Sequence, residues 1–197
     1  GLDINYNITS GLKASLTLNT DFAETEVDDR QINLTRFPIR FPEKRDFFLE
    51  GANIYRFAPS SGVYPYFSRK IGLQSGNPIP ILYGGRVIGK IGKVEVAAQQ
   101  VKTRQTDFNN SEDFSVIRIK QNFLKESSIG VLYTRRHTNK GPEFVPPLPD
   151  RNTLGVDLTL NTSTFLKNQN LQFQAFAVIH NPNTHDEIKN NIWDRST

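Results

Sequence analysis

Neither cysteine nor methionine occurs in this 197-residue chain. A disulfide framework and thiolate metal ligation are therefore excluded, and the missing initiator methionine is read as the mark of a processed or excised chain. Long apolar runs are missing as well. No stretch approaches the ~18–20 consecutive apolar residues of a membrane-spanning helix, and the first residues, GLDINYNITS, lack the basic-then-apolar layout of a signal peptide. Helical membrane spans are excluded on this ground. β-barrels are not, because each of their strands carries only a weak signal. Histidine is scarce: His137, His180 and His185 form no HExxH or paired-ligand motif and are read as solvated residues of loops or strand ends, so neither metal nor cofactor is expected. A clustered basic patch is absent too. The net charge of +4 and pI near 9.3 come from scattered Lys and Arg, which argues against a nucleic-acid partner.

What is present is a composition of 37% hydrophobic and 22% charged residues, enough apolar content for one domain or one large fragment with a core. Much of it is arranged in strict alternation. Leu2, Ile4, Tyr6 and Ile8, then Leu12, Ala14, Leu16 and Leu18, alternate with polar residues on either side of Ser10-Gly11, which predicts a hairpin with one apolar and one polar face. From residue 81 onward paired strands follow: 81–90 with 93–104, 113–123 with 127–138, and 152–162 with 171–180. Apolar positions alternate clearly in Val94, Val96 and Ala98, in Leu154 to Leu160, and in Leu171 to Ile179, with Asp157, Thr159, Gln172 and Gln174 on the opposite faces. Strands of about ten residues, joined alternately by tight turns and longer polar loops, are the layout of an outer-membrane barrel, whereas soluble sandwich strands average ~5–6. The glycines at 84, 85, 89 and 92 build no phosphate loop and are read as sites of bending or of close approach by another segment. A soluble antiparallel sandwich remains the competing fold.

Residues 41–51, FPEKRDFFLEG, suit neither a surface loop nor a strand. Pro42 at a first helical position, Glu43 near the positive helix end and Gly51 as a left-handed terminator predict a short helical knot. Four-residue spacing would then place Glu43 by Phe47, Lys44 by Phe48 and Arg45 by Leu49. Residues 52–80 are rich in Gly, Pro and aromatics and read as a long ordered or in-turned segment. The resulting division is a first hairpin (1–20), a plug-like segment (21–80), serial hairpins (81–180) and a terminal loop (181–197).

The runs LNTDFAETEVDDRQINLTRFPIRFPEKRDFFLEGANIYRF, YFSRKIG, YGGRVIGKIGKVEVA and SSIGVLYTRR together resemble the start of a domain of unknown function. In that family it follows a sandwich like carbohydrate-binding-module family nine, in large outer-membrane proteins of Gram-negative bacteria. The chain departs from the family at Thr20 and Asp46, where proline is usual. The resemblance implies an all-β fold: antiparallel up-and-down strands forming part of an outer-membrane-type barrel, with an irregular in-turned segment carrying a short helix. It implies location in the outer membrane, contact with its lipid and with the remainder of the barrel, and a link to oligo- or polysaccharide. It brings no established reaction.

Candidate chemistry follows from these segments. Glu24, Glu26 and Asp28 lie on one side of an extended run and offer oxygen ligands of the kind calcium takes, but without calcium-loop spacing and with Arg30, Arg36, Arg40, Lys44 and Arg45 nearby, ion pairing is the favoured reading. Glu43, Lys44, Arg45 and Glu50 join these carboxylates as candidates for plug ion pairs. Tyr64, Tyr66 and Phe67 are candidates for stacking on a ligand ring. The expected function is binding or transport at the cell surface. The alternatives are a polysaccharide-acting hydrolase drawing its acid and base from these carboxylates, and a soluble carbohydrate-binding sandwich; no catalytic residue is assigned.

Overall fold

The computed structural model describes residues 1–20, 42–74, 77–139, 141–142, 145, 148–167 and 169–182. Glu24, Glu26 and Asp28, the short strand expected after them, and His185 lie outside the described residues. Strands β1 (Leu2–Thr9) and β2 (Leu12–Leu18) form the first hairpin. After helix α1 (Asp46–Leu49), a 3₁₀ turn at Ser68–Lys70 and the two-residue strands β3 (Leu73–Gln74) and β4 (Asn77–Pro78) come six long strands. These are β5 (Ile81–Ile91), β6 (Val94–Thr103), β7 (Glu112–Phe123), β8 (Ser127–Thr138), β9 (Arg151–Phe165) and β10 (Gln169–Pro182). The eight long strands make one antiparallel sheet in the order β1-β2-β5-β6-β7-β8-β9-β10, and β3 pairs with β4 in a separate ribbon. The sheet is all-β and up-and-down as the alternation predicts. It is not closed: among the described residues β1 and β10 pair with no strand on their outer sides.

Register explains why one face is apolar. Directly paired residues point to the same side of a sheet. Tyr6, Ala14, Val87, Ala98, Ile117, Tyr133, Leu154 and Ile179 are successive partners across all eight strands. A second row runs Leu12, Gly89, Val96, Ile119, Val131, Val156, Ala177. No described element covers this face; Ile117 is 47% exposed, Leu154 44% and Ile179 70%. The row on the other side of the first changes character to Gln100, Ser115, Arg135 and Asn152. There Ser115 pairs with Gln100, and Tyr133 Oη donates to Asn152 Oδ1 at 3.1 Å.

The opposite face carries the core. Residues 47–71 fold across it, burying Tyr55, Phe57 and Ala58 against Ile88, Ala97, Val116 and Leu132, and Phe48 and Ile71 against Ile81 and Val101. Burying one such aromatic contributes about 1.5–3 kcal/mol. Gly84 of β5 admits the knot, since a Cβ there would lie 2.9 Å from Thr17 Cγ2 and 3.1 Å from the Phe47 ring. This is the close approach expected of a strand glycine.

The knot itself is shorter than its sequence predicts. Only Asp46–Leu49 is helical, Arg45 is the extended residue before it (φ −83°, ψ 124°), and Pro42 is not in the helix. The cause is Glu43, whose Oε1 accepts the backbone N–H of Lys44 and of Arg45, both at 3.1 Å. This local side-chain capture holds the backbone in a turn where helix would have begun. Of the three expected four-residue contacts, only the third has a helical basis: Leu49 N–H donates to Arg45 O at 3.0 Å. Gly51 closes the turn with φ +71° as expected. The apolar trio also divides, for Phe48 is buried while Leu49 is 46% exposed.

Candidate functional site

Three ion pairs organise the in-turned segment, one within it and two at its junction with the sheet, and each rests on a different arginine. The first lies within the knot. Arg45 forms a bidentate pair with Glu43, Nε to Oε1 and Nη2 to Oε2, both at 2.7 Å. The remaining donors reach Ile71 O and Ser68 O, each at 2.8 Å, and the guanidinium lies 4.0 Å over the Phe48 ring. Ser68 Oγ also donates to Glu43 Oε2 at 2.7 Å. Burial alone would push the Glu43 carboxyl up, but the hydrogen bonds and charge of Arg45 and the Ser68 hydroxyl outweigh it and hold the group below the usual carboxylate value. Glu43 and Arg45 thus satisfy each other, so Arg45 draws its carboxylate from two residues away. Lys44 supplies its backbone N–H to the same carboxylate.

The second anchor joins knot to wall. Arg86 of β5, with a side chain only 1% exposed, pairs with Glu50 (Nη2–Oε2 2.5 Å), donates to Glu50 O (3.0 Å) and to Phe47 O, and stacks 4.8 Å over the Phe47 ring. Lys13 of β2 reaches Glu50 Oε1 at 2.6 Å. The Lys13 hydrogen bond is the largest influence on Glu50; against burial it lowers the carboxyl pKa, with Arg86 adding to the same direction.

The third anchor is the most deeply buried. Arg118 of β7 crosses β8 to meet Asp157 of β9, Nη1–Oδ1 2.5 Å and Nη2–Oδ2 2.9 Å, with side-chain exposures of 1% and 6%. Two glycines make this possible. A Cβ on Gly130 would lie 2.7 Å from the Arg118 guanidinium, and one on Gly155 would lie 2.6 Å from the Phe57 ring that sits beside it. Asp157 also accepts the Ala58 N–H at 3.4 Å, and Phe57 lies 5.7 Å from the Arg118 guanidinium. Residues 57–58 are thereby tied to the centre of the sheet.

Sequence reasoning named Glu43, Arg45 and Glu50 as ion-pair candidates; in the structure Glu43 meets Arg45, and Glu50 meets Arg86 and Lys13, while Arg86, Arg118 and Asp157 were missed as partners. A signal existed. In VIRIK (116–120) the apolar Ile117 and Ile119 alternate with Arg118 and Lys120, so a cation is forced to the face that carries the plug. Of the histidines, His137 and His180 lie close to the ends of β8 and β10, where His137 Nδ1 contacts Asp150 at 2.7 Å and His180 Nδ1 contacts Thr153 Oγ1 at 2.8 Å. Among the described residues no group of His, Asp and Glu is placed to hold a metal ion.

Tyr64, Tyr66 and Phe67 do come together. They form one wall of a cavity of about 420 Å³ whose floor is the inner face of β6 to β10. Tyr66 is packed 5.0 Å from Tyr55, and Gln99 Nε2 donates to its hydroxyl at 3.1 Å. Burial pushes the Tyr66 phenol well up, so it stays protonated. A hydrolytic site would require two carboxylates free of cations in a groove. Glu43 and Glu50 are both held by arginine.

A family model described as a domain of unknown function (DUF5916) matches residues 1–81, the first hairpin and the whole in-turned segment. No curated protein and no solved structure matches the chain.

Proposed function

We propose that this chain is part of an outer-membrane β-barrel that serves binding or transport at the cell surface, with residues 42–80 lying in the lumen as a partial plug. The observation that carries this reading is the inverted distribution of polarity. The uncovered face bears one apolar row across all eight strands and a second across seven, whereas the covered face holds Arg86, Gln99, Arg118 and Asp157. A water-soluble sheet protein puts the apolar face inside, and a barrel in lipid needs it outside. The belt ends at the polar row from Gln100 to Asn152, with Tyr133 just inside that boundary, where amphipathic rings favour a membrane surface. Tight turns join β1 to β2, β5 to β6, β7 to β8 and β9 to β10 on one rim, and the long connections lie on the other. The flanks of β1 and β10, unpaired among the described residues, are where the remaining strands of the barrel would add, since an edge of this length is otherwise a template for aggregation. The partners on this reading are membrane lipid outside and the rest of the barrel at the two edges.

The test is depth-dependent substitution in lipid. Val156→Lys, in the belt, is expected to lower the stability of the bilayer-inserted protein by about 2–4 kcal/mol, and Asn152→Lys, in the polar row, by about 0–1 kcal/mol. Small and equal effects at both positions would overturn the proposal, because they would place Val156 in water.

A further inference from the structure

The cavity beneath Tyr64, Tyr66 and Phe67 has a feature that the plug reading does not use: its charge is of one sign. The charged side chains on its face are those of Lys70, Arg136 and Arg151, and no Asp or Glu lines it. Arg136 of β8 and Arg151 of β9 are direct partners in the sheet. Like charges placed opposite one another in a ladder destabilise it unless an anion lies between or beside them. Glu112 answers one of the two, accepting from Arg136 Nε at 3.0 Å. For Arg151 and for Lys70 no described carboxylate lies within ion-pair distance. The facing wall is aromatic, and Tyr64 is 57% exposed. Tyr66 receives a hydrogen bond from Gln99 and, among the described residues, has no acceptor for its own proton, so a donor is left beside the basic floor. Thr134, Thr153 and His180 add polar atoms along β8 to β10.

We propose that this cavity binds a ring-bearing carboxylate. The anionic group would sit at Arg151 and Lys70, and the ring would lie against Tyr64 to Phe67. A guanidinium takes a carboxylate through two parallel N–H donors, and an aromatic wall takes the face of either a flat ring or a pyranose. A volume of about 420 Å³ is within the range of small-molecule pockets and admits one or two such rings. The site is formed by residues 64–73 and strands β6 to β10 alone, so it does not depend on closure of the barrel.

Calorimetric titration of the full chain in detergent, with glucuronate, benzoate, glucose, acetate and inorganic phosphate as probes, tests this directly. Glucuronate or benzoate is expected to bind at least about tenfold more tightly than glucose, acetate or phosphate; preference between the first two identifies the ring as a sugar or an aromatic. Arg151→Gln is expected to weaken that binding about tenfold or more, as loss of a charge-assisted contact does, and Tyr64→Ala to weaken the ring carboxylates while leaving acetate unchanged. Arg104→Gln, whose side chain instead reaches Asn19, should bind like the parent. Equal binding of glucose and glucuronate, binding unaffected by Arg151→Gln, or no binding by either ring carboxylate would overturn the proposal. None of these outcomes bears on whether the apolar belt meets lipid, which the lysine substitutions read separately.

Discussion

Replacing Arg45 with alanine should release the knot while leaving the sheet intact, and the size of the effect follows from what Arg45 touches. Its side chain and that of Glu43 are 6% and 10% exposed. Removing one member of a buried pair costs about 3–5 kcal/mol, because the other charge stays behind without its counter-ion. Glu43 would keep the Ser68 hydroxyl and two backbone N–H groups, which favours the lower part of that range. Two further losses raise it again: Ile71 O and Ser68 O each lose a donor, and an unsatisfied buried acceptor costs about 1–3 kcal/mol unless water enters the space left by the side chain. A total near 3–5 kcal/mol corresponds to an increase of about two to four orders of magnitude in local opening. The assay is the rate of tryptic cleavage after Arg69 and Lys70, both close to the carbonyls that Arg45 holds, under conditions where cleavage follows the opening equilibrium. Arg104→Ala is the control. Its exposed side chain makes one bond, to Asn19 Oδ1 at 2.7 Å, and such surface contacts contribute about 0–1 kcal/mol. Arg45→Lys should fall between, since an ammonium cannot serve a bidentate carboxylate and two carbonyls at once. Equal cleavage rates in Arg45→Ala and Arg104→Ala would refute the view that the knot is internally anchored.

Two more predictions concern the same anchors. Glu43 has a folded pKa below its ordinary value of 4.5, so its contribution is fully present above that value and is lost as pH falls through the lower folded value; thermal midpoints followed by circular dichroism between pH 7 and pH 3 should hold on this account until about pH 4.5 and then decline, and Glu43→Gln should remove that part of the decline. At the Arg118–Asp157 pair, Arg118→Ala should cost about 3–5 kcal/mol, whereas Arg118→Met combined with Asp157→Leu should be far milder, from neutral to stabilising; denaturant midpoints of the two singles and the double form the cycle, and a double mutant as damaged as the single would show that the pair is needed for more than mutual neutralisation.

How much of this was written in the chain can be judged residue by residue. The alternation of Leu154, Val156, Leu158 and Leu160 with Asp157 and Thr159 fixed a two-faced strand by itself, because side chains point to opposite sides at every step whatever the strand packs against. The strand set and the all-β class followed from the same period, and the open eight-stranded sheet agrees with them. The charged knot was legible as something that needed both ionic and apolar partners, and Glu43, Arg45 and Glu50 do make those pairs. Its partners were not legible. Arg86 lies 36 residues from Glu50 and Arg118 lies 39 from Asp157, and nothing local ranks one distant cation over another. Helix propensity also misjudged the start of the knot, because a single carboxylate that captures two backbone N–H groups competes with the first helical turn, and that capture is completed by Ser68 from a remote segment. The sequence by itself therefore determined which residues share a face, since that depends only on backbone geometry. Tertiary structure alone decided which charges meet, because those contacts depend on register across β5 to β9 and on the space left by Gly84, Gly130 and Gly155, where a missing side chain is what allows another to cross.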